Sequence, residues 1–143
     1  MTIYFDMDGT IADFYNVRGW LEDLENNSVH PYLMAKPLFD VYRFAGLLNA
    51  LKRKGYKIGI ISWTSKNGSK EFNSKVEKAK RHWLKENVLV SLDEIKIVPY
   101  GTSKIKIAGG NGILFDDEER NRNEWGAGAY EPAKMIEILT GLL

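Results

Sequence analysis

The sequence predicts an α/β fold, a three-layer Rossmann-like arrangement in which a parallel sheet carries helices on both faces. Short apolar runs alternate along the chain with longer segments whose apolar residues follow helical spacing. Each apolar run is short and ends at turn residues, which is typical of strands covered on both faces. The 143 residues fit one domain, 1–143, which is long enough to bury a core without cross-links.

Five strands and three main helices follow from these patterns. The strands are predicted at residues 3–5, 57–62, 95–98, 113–115 and 127–130. A helix over 38–54 has a regularly spaced apolar face and ends at Gly55. A second helix over 69–87 has an apolar face formed by Phe72, Val76, Ala79, Trp83 and Leu84. Pro132 suits the first turn of a last helix.

Residues 14–36 do not follow the alternation of strands and helices. One short helix over 19–24 is predicted there, and the polar run after it ends that helix. We therefore expect a small cap-like insert over the strand ends. Its aromatic residues either stack on a flat ligand or hold the insert together, and the second interpretation is favoured. They are Phe14, Tyr15, Trp20 and Tyr32.

Polar residues follow four of the predicted strands. In open parallel sheets, ligands bind beyond the carboxyl ends of the strands, so these residues are the candidates for a site. They are Asp6 and Asp8, then Ser62, then Lys104 within the segment 101–106, then Asp116 and Asp117. The sequence thus predicts one pocket that combines carboxylates, a hydroxyl and an amine.

Such a group of carboxylates requires a cation or strongly raised pKa values. Two like charges about 4 Å apart repel by roughly 4 kcal/mol at an effective dielectric constant of about 20. A hard divalent ion with oxygen ligands removes this repulsion, and Mg²⁺ also accepts a phosphate oxygen. Asp6 can attack phosphorus, and Asp8 can exchange a proton with the leaving oxygen and then with water. A calcium loop is excluded, because Val17 stands where a bidentate Glu is needed.

These residues resemble the haloacid dehalogenase superfamily of phosphatases over nearly the whole chain. The run DMDGT at residues 6–10 is similar to the first motif, and IIS at 60–62 to the second. Lys104 is similar to the third motif, and LFDD at 114–117 with Asn121 to the fourth. The resemblance implies a Mg²⁺-dependent phosphohydrolase that forms an aspartyl-phosphate intermediate.

The resemblance also implies roles for the acidic residues. Asp6 would be the nucleophile and a metal ligand. Asp8 would be the general acid and base, and it would bind the metal through its carbonyl oxygen. Asp117 would bind the metal directly, with Asp116 and Asn121 lying behind the ligands.

The phosphoryl group would be held by Ser62 and Lys104, together with Gly9 and Thr10. Two alternatives stay open at this point. Lys106 could replace Lys104, because the spacing before the last motif varies, and Thr64 could replace Ser62. A weaker similarity of residues 62–66 and of the paired aspartates to the 5′(3′)-deoxyribonucleotidase branch, with its phage and bacterial relatives, implies a nucleotide substrate.

Composition limits the partners. The chain has no cysteine, which excludes disulfides, thiolate metal sites and cysteine nucleophiles. The net charge of +1 gives no general attraction to nucleic acid or membrane, and neither a membrane span nor a signal peptide is predicted. We expect a cytoplasmic protein with a small phosphorylated substrate. The lysine-rich helix 69–87 is interpreted as a solvated amphipathic face and not as a nucleic-acid contact.

Two other functions remain open from the sequence. One is a phosphatase that acts on the 3′ ends of polynucleotides, which the shortness of the insert favours because it leaves the site open. The other is a non-catalytic protein that binds phosphate or another protein. The presence of both Asp6 and Asp8 argues against this last alternative.

Overall fold

A computed structural model describes residues 1–143, and its centre is a parallel five-stranded sheet. The strands are β1 (Thr2–Phe5), β2 (Lys57–Trp63), β3 (Glu94–Val98), β4 (Ile113–Phe115) and β5 (Ala129–Tyr130). Their order in the sheet is β3-β2-β1-β4-β5, and every neighbouring pair is parallel. The α/β prediction is confirmed. The last strand begins two residues later than predicted, because Ala129 N–H closes a turn on the Gly126 carbonyl.

Seven α-helices connect or flank these strands. They are α1 (Trp20–Glu25), α2 (His30–Met34), α3 (Val41–Arg53), α4 (Lys70–Asn87), α5 (Lys104–Ile107), α6 (Glu119–Trp125) and α7 (Met135–Gly141). Short 3₁₀ turns lie at Phe14–Asn16 and Pro132–Lys134. The predictions did not include α2, α5 and α6, which are too short or too polar to show an apolar period.

Helices cover both faces of the sheet. Side chains alternate along β1, so Ile3 and Phe5 pack in a cluster with α3, α4 and α7. Tyr4 points to the opposite face, where it packs with Leu114 and with Trp125 of α6. The three-layer arrangement predicted from the apolar strands is therefore present. No helix is both long and apolar enough to cross a membrane.

Side-chain caps fix where the two longest helices begin. The Asp40 carboxylate accepts a hydrogen bond from Arg43 N–H at 2.9 Å, so α3 begins at Val41 and not at residue 38 as predicted. The Ser69 hydroxyl accepts one from Phe72 N–H at 3.1 Å and starts α4. Each cap supplies an acceptor to one backbone N–H of the first helical turn.

The strand register brings the predicted site residues together. Phe5 lies opposite Ile60 of β2 on one side and Phe115 of β4 on the other. Because all strands run in the same direction, the residues that follow them emerge at one edge of the sheet. Asp6 is thus placed between the ends of β2 and β4, beside Asp116.

We predict that Ser69→Ala lowers the free energy of unfolding by about 1 kcal/mol, because the first turn of α4 loses its capping acceptor. Urea denaturation at neutral pH measures this change. Ser74→Ala is the matched control, since Ser74 is exposed within the same helix and makes no cap. Equal effects of the two substitutions would contradict the capping role.

Candidate active site

A tight turn after β1 presents Asp6 and Asp8 to the site. The Met7 carbonyl accepts hydrogen bonds from the N–H groups of residues 10, 11 and 12 at 2.9–3.0 Å. Gly9 has a φ of +81°, and a Cβ atom there would collide with the carboxylate of Asp117. Glycine is therefore required both for the turn and for the close approach of Asp117.

Lys104 links the acids that follow β1 and β4. Its ammonium donates to Asp6 Oδ1 at 2.9 Å and to Asp116 Oδ2 at 2.7 Å, and the residue is 3% exposed. Burial alone would lower the pKa of Lys104, but the charges of Asp6 and Asp116 outweigh burial and raise it. The lysine therefore stays charged and holds two carboxylates at the same edge.

Asp116 is fully buried and its oxygens are occupied. Oδ2 accepts from Lys104 and from Asn121 Nδ2 at 3.0 Å, and Oδ1 accepts from Glu118 N–H at 2.9 Å. Burial, followed by the charge of Asp6, raises the pKa of Asp116 to about 6. Asp116 and Asn121 thus support the site from behind.

Asp117 is different, because it faces the pocket and forms no ion pair. The Thr10 hydroxyl lies 3.3 Å from Asp117 Oδ1 and 3.3 Å from Asp6 Oδ2, and it accepts from Asp117 N–H at 3.1 Å. Burial, followed by the charge of Asp6, raises the pKa of Asp117 to about 8. Thr10 therefore joins two acids that repel each other.

Lys80 of α4 is a site residue that the sequence analysis missed. Its ammonium donates to Asp8 Oδ2 at 2.9 Å, to Ser62 Oγ at 2.7 Å and to the Trp63 carbonyl at 2.7 Å. The residue is only 1% exposed, so the interpretation of the α4 lysines as a solvated face is wrong for Lys80. A signal was present, since Lys80 lies four residues after Val76 on the apolar face.

Asp8 is paired with Lys80 and is held apart from the other acids. Burial raises the pKa of Asp8, and the charge of Lys80 opposes this rise without cancelling it. A carboxyl group in this environment retains its proton to a higher pH than an exposed one. The arrangement suits a group that gives and takes a proton.

The carboxylates outnumber the cations around them. Asp6, Asp8, Asp116 and Asp117 line the pocket, and their ion pairs are made by Lys80 and Lys104 alone. Oxygen atoms of Asp6, Asp116 and Asp117 all lie within 4.8 Å of one another. A hard divalent cation fits this donor set and would balance the excess charge.

Within that acidic group, Asp6 and Asp117 are the residues best placed to hold an ion. The oxygens of Asp116 already accept hydrogen bonds from three donors, and the Asp8 carboxylate accepts one from Lys80. The predicted contribution of the Asp8 carbonyl stays a prediction.

Gly9 and Thr10 were predicted to bind phosphate, but the structure leaves them no free donor. Gly9 N–H donates to the Ala12 carbonyl, Thr10 N–H donates to the Met7 carbonyl, and the Thr10 hydroxyl is held between carboxylates. Neither residue lines the pocket. Their role in this structure is to shape the turn.

The other predicted phosphate ligands differ in their positions. Ser62 and Lys104 both line the pocket, whereas Lys106 is exposed and does not. Thr64 also lines the pocket, so the alternative between Ser62 and Thr64 stays open. The Ser62 hydroxyl accepts from Lys80, and its own hydrogen remains available for a ligand oxygen.

The insert forms one wall of the pocket, a cavity of about 200 Å³. Phe14 and Tyr32 are buried against α4, which supports the interpretation that they hold the insert in place. Tyr15 and Trp20 line the cavity and are partly exposed, with ring centroids 5.2 Å apart. They leave aromatic surface facing the cavity.

A second aromatic pair lines the same cavity. The ring centroid of Trp63, at the end of β2, lies 4.7 Å from that of Tyr100, which follows β3. The cavity therefore has an acidic floor and aromatic walls. The chain matches no protein-family model, and a comparison with curated proteins gives no match.

We predict that Lys80→Met lowers the free energy of unfolding by roughly 3 kcal/mol, because it leaves the Asp8 carboxylate without its buried partner. Adding Asp8→Asn should recover part of this loss, since the unpaired charge is then removed. Lys78→Met, at an exposed position of α4, should change stability by less than about 0.5 kcal/mol. Urea denaturation measures these changes. If the losses caused by Lys80→Met and Asp8→Asn simply add in the double variant, direct pairing of Lys80 with Asp8 is contradicted.

The raised pKa values of Asp116 (to about 6) and Asp117 (to about 8) predict a pH dependence of stability. Between the unfolded value and these folded values, the native state binds more protons, so their contribution to stability falls as pH rises. Without divalent ions, wild type should therefore lose stability relative to Asp117→Asn between about pH 5 and pH 8.5. Saturating Mg²⁺ should reverse this trend in wild type only. Thermal unfolding of the two proteins, with and without Mg²⁺, measures both effects. A stability difference between them that does not change with pH would contradict the predicted repulsion within the acidic cluster.

Proposed function

We propose that the protein is a Mg²⁺-dependent phosphomonoesterase that acts on a nucleotide through a phosphorylated Asp6. The proposal rests mainly on one observation, the environment of the Asp6 carboxylate. Asp6 ends the central strand at the floor of the pocket, and Lys104 and Thr10 contact its two oxygens. This carboxylate is fixed in orientation while it faces a cavity that can admit a phosphate group.

In the first step, an oxygen of Asp6 attacks phosphorus and the bond to the leaving oxygen breaks. The leaving oxygen needs a proton, and Asp8 is the residue suited to supply it, because burial favours its protonated form. Lys104 and the Ser62 hydroxyl stabilise negative charge on the phosphoryl oxygens. The product of this step is an acyl phosphate on Asp6.

In the second step, water attacks phosphorus and the bond to Asp6 breaks. Asp8, now ionised, accepts the proton of the attacking water and so returns to its starting form. Lys80 stabilises Asp8 in its ionised form between the two steps, since it donates directly to the carboxylate. Both proton transfers therefore use the same side chain.

The residues suited to hold Mg²⁺ are Asp6 and Asp117, with the Asp8 carbonyl as the third ligand. The ion would offset the repulsion between the substrate phosphate and the acidic floor. Asp116 and Asn121 would keep the ligands in place.

The aromatic walls of the pocket support a nucleotide as the substrate. Tyr15 and Trp20 on one side and Trp63 and Tyr100 on the other present flat surfaces on which a base can stack. Tyr15 and Trp20 belong to the insert, Trp63 is the last residue of β2, and Tyr100 lies in the loop after β3. A substrate with a planar ring attached to its phosphate uses both the floor and the walls.

We predict that Asp6→Asn lowers Mg²⁺-dependent release of phosphate from nucleoside monophosphates by about a thousandfold or more. The fold should be kept, because the substitution preserves shape and removes a repelling charge. Asp23→Asn on α1, outside the pocket, is the matched control and should retain full activity. Unchanged activity of Asp6→Asn, or full activity of wild type in a chelator, would contradict the proposal.

A further inference from the structure

Lys66 is a basic residue at the pocket whose charge is not neutralised. The basic side chains that line the pocket are Lys66 and Lys104. Lys104 is paired with Asp6 and Asp116, whereas Lys66 forms no ion pair and is exposed. The pocket therefore has a neutralised cation at its floor and an available one at its mouth.

The loop that carries Lys66 is tied to the start of α4. Asn73 Oδ1 accepts from Ser65 N–H at 3.1 Å, and Asn73 Nδ2 donates to the carbonyls of Ser65 and Gly68 at 3.3 Å. Gly68 packs so closely on Asn73 that a Cβ atom there would overlap its side chain. The backbone on both sides of Lys66 is thus held by one amide group.

The Lys66 side chain lies over the aromatic wall. Its ammonium is 5.8 Å from the centre of the Tyr100 ring, and Tyr100 in turn contacts Trp63. Ser62, at the floor, lies near the end of β2 and precedes Lys66 by four residues. The phosphate-binding floor, the aromatic wall and the cation at the mouth therefore follow one another along a short segment.

We propose that Lys66 binds a second phosphate of the substrate, and that the preferred substrate is a nucleoside bisphosphate with its phosphates on separate sugar positions. This inference rests on the proposed function, which places the phosphate to be removed on the floor and the base against the aromatic walls. The second phosphate then lies on the outer side of the sugar, where Lys66 supplies the unpaired positive charge.

The test is calorimetric binding of a nucleoside 5′-monophosphate and of its 3′,5′-bisphosphate to the Asp6→Asn variant, which binds without turnover. The bisphosphate should bind about threefold to fivefold more tightly, as expected for one exposed charge pair. Adding Lys66→Ala should make the affinities for the two ligands equal. Adding Lys70→Ala instead, at an exposed lysine outside the pocket, should keep it. The ratio should also shrink as ionic strength rises.

Two results would overturn the inference: equal affinities for the two ligands, or a ratio that persists after Lys66→Ala. A third arm uses a 5′-phosphorylated dinucleotide, whose second phosphate is an internucleotide diester. If only this ligand gains affinity from Lys66, the second phosphate belongs to a polynucleotide end and the bisphosphate assignment is wrong.

Kinetics of the wild-type protein separate this inference from the proposed function. If neither nucleotide releases phosphate, the proposed function fails, while the binding ratio still decides the role of Lys66. If the monophosphate is hydrolysed and the bisphosphate has no advantage in KM, the proposed function stands and the inference fails.

Discussion

The excess of negative charge at the carboxyl edge of the sheet is the constraint on which the site depends. Four aspartates line one pocket, and only Lys80 and Lys104 form ion pairs with them. Each lysine is almost fully buried and is held by at least two acceptors, so neither can leave. Burial, followed by the negative charge of Asp6, raises the pKa of Asp117 to about 8. A divalent cation would offset this excess of negative charge.

The fold supplies the positions that the charges require. Parallel strands deliver Asp6 and Asp116 to neighbouring positions, and the turn at Gly9 lets Asp117 approach. Helix α4 contributes in two ways, because one side of its apolar face packs on the sheet while Lys80 reaches Asp8. The insert rests on the same helix through Phe14 and Tyr32, so the insert and the Asp8 side chain share one support.

The parts of this structure that follow from local patterns could be predicted from the sequence. Apolar runs located the strands, and the rule that ligands bind at strand ends brought Asp6 and Asp116 together. The sequence does not predict Lys80 as a site residue, because it stands among exposed lysines. Only its position on the apolar face of α4 distinguishes it from them. Gly9 and Thr10 are predicted to bind phosphate because they belong to the run DMDGT. The sequence does not reveal that the turn itself uses their N–H groups as hydrogen-bond donors.

The most direct measurement of the central claim is mass spectrometry of the acid-quenched Asp8→Asn variant after incubation with Mg²⁺ and p-nitrophenyl phosphate. This substrate has a leaving group that needs little protonation, so the first step proceeds while the second is slowed. The account predicts one phosphoryl group on the peptide that contains Asp6, and its loss on treatment with hydroxylamine. Release of phosphate by wild type, with no phosphoryl group found on Asp6 in the variant, would contradict the account.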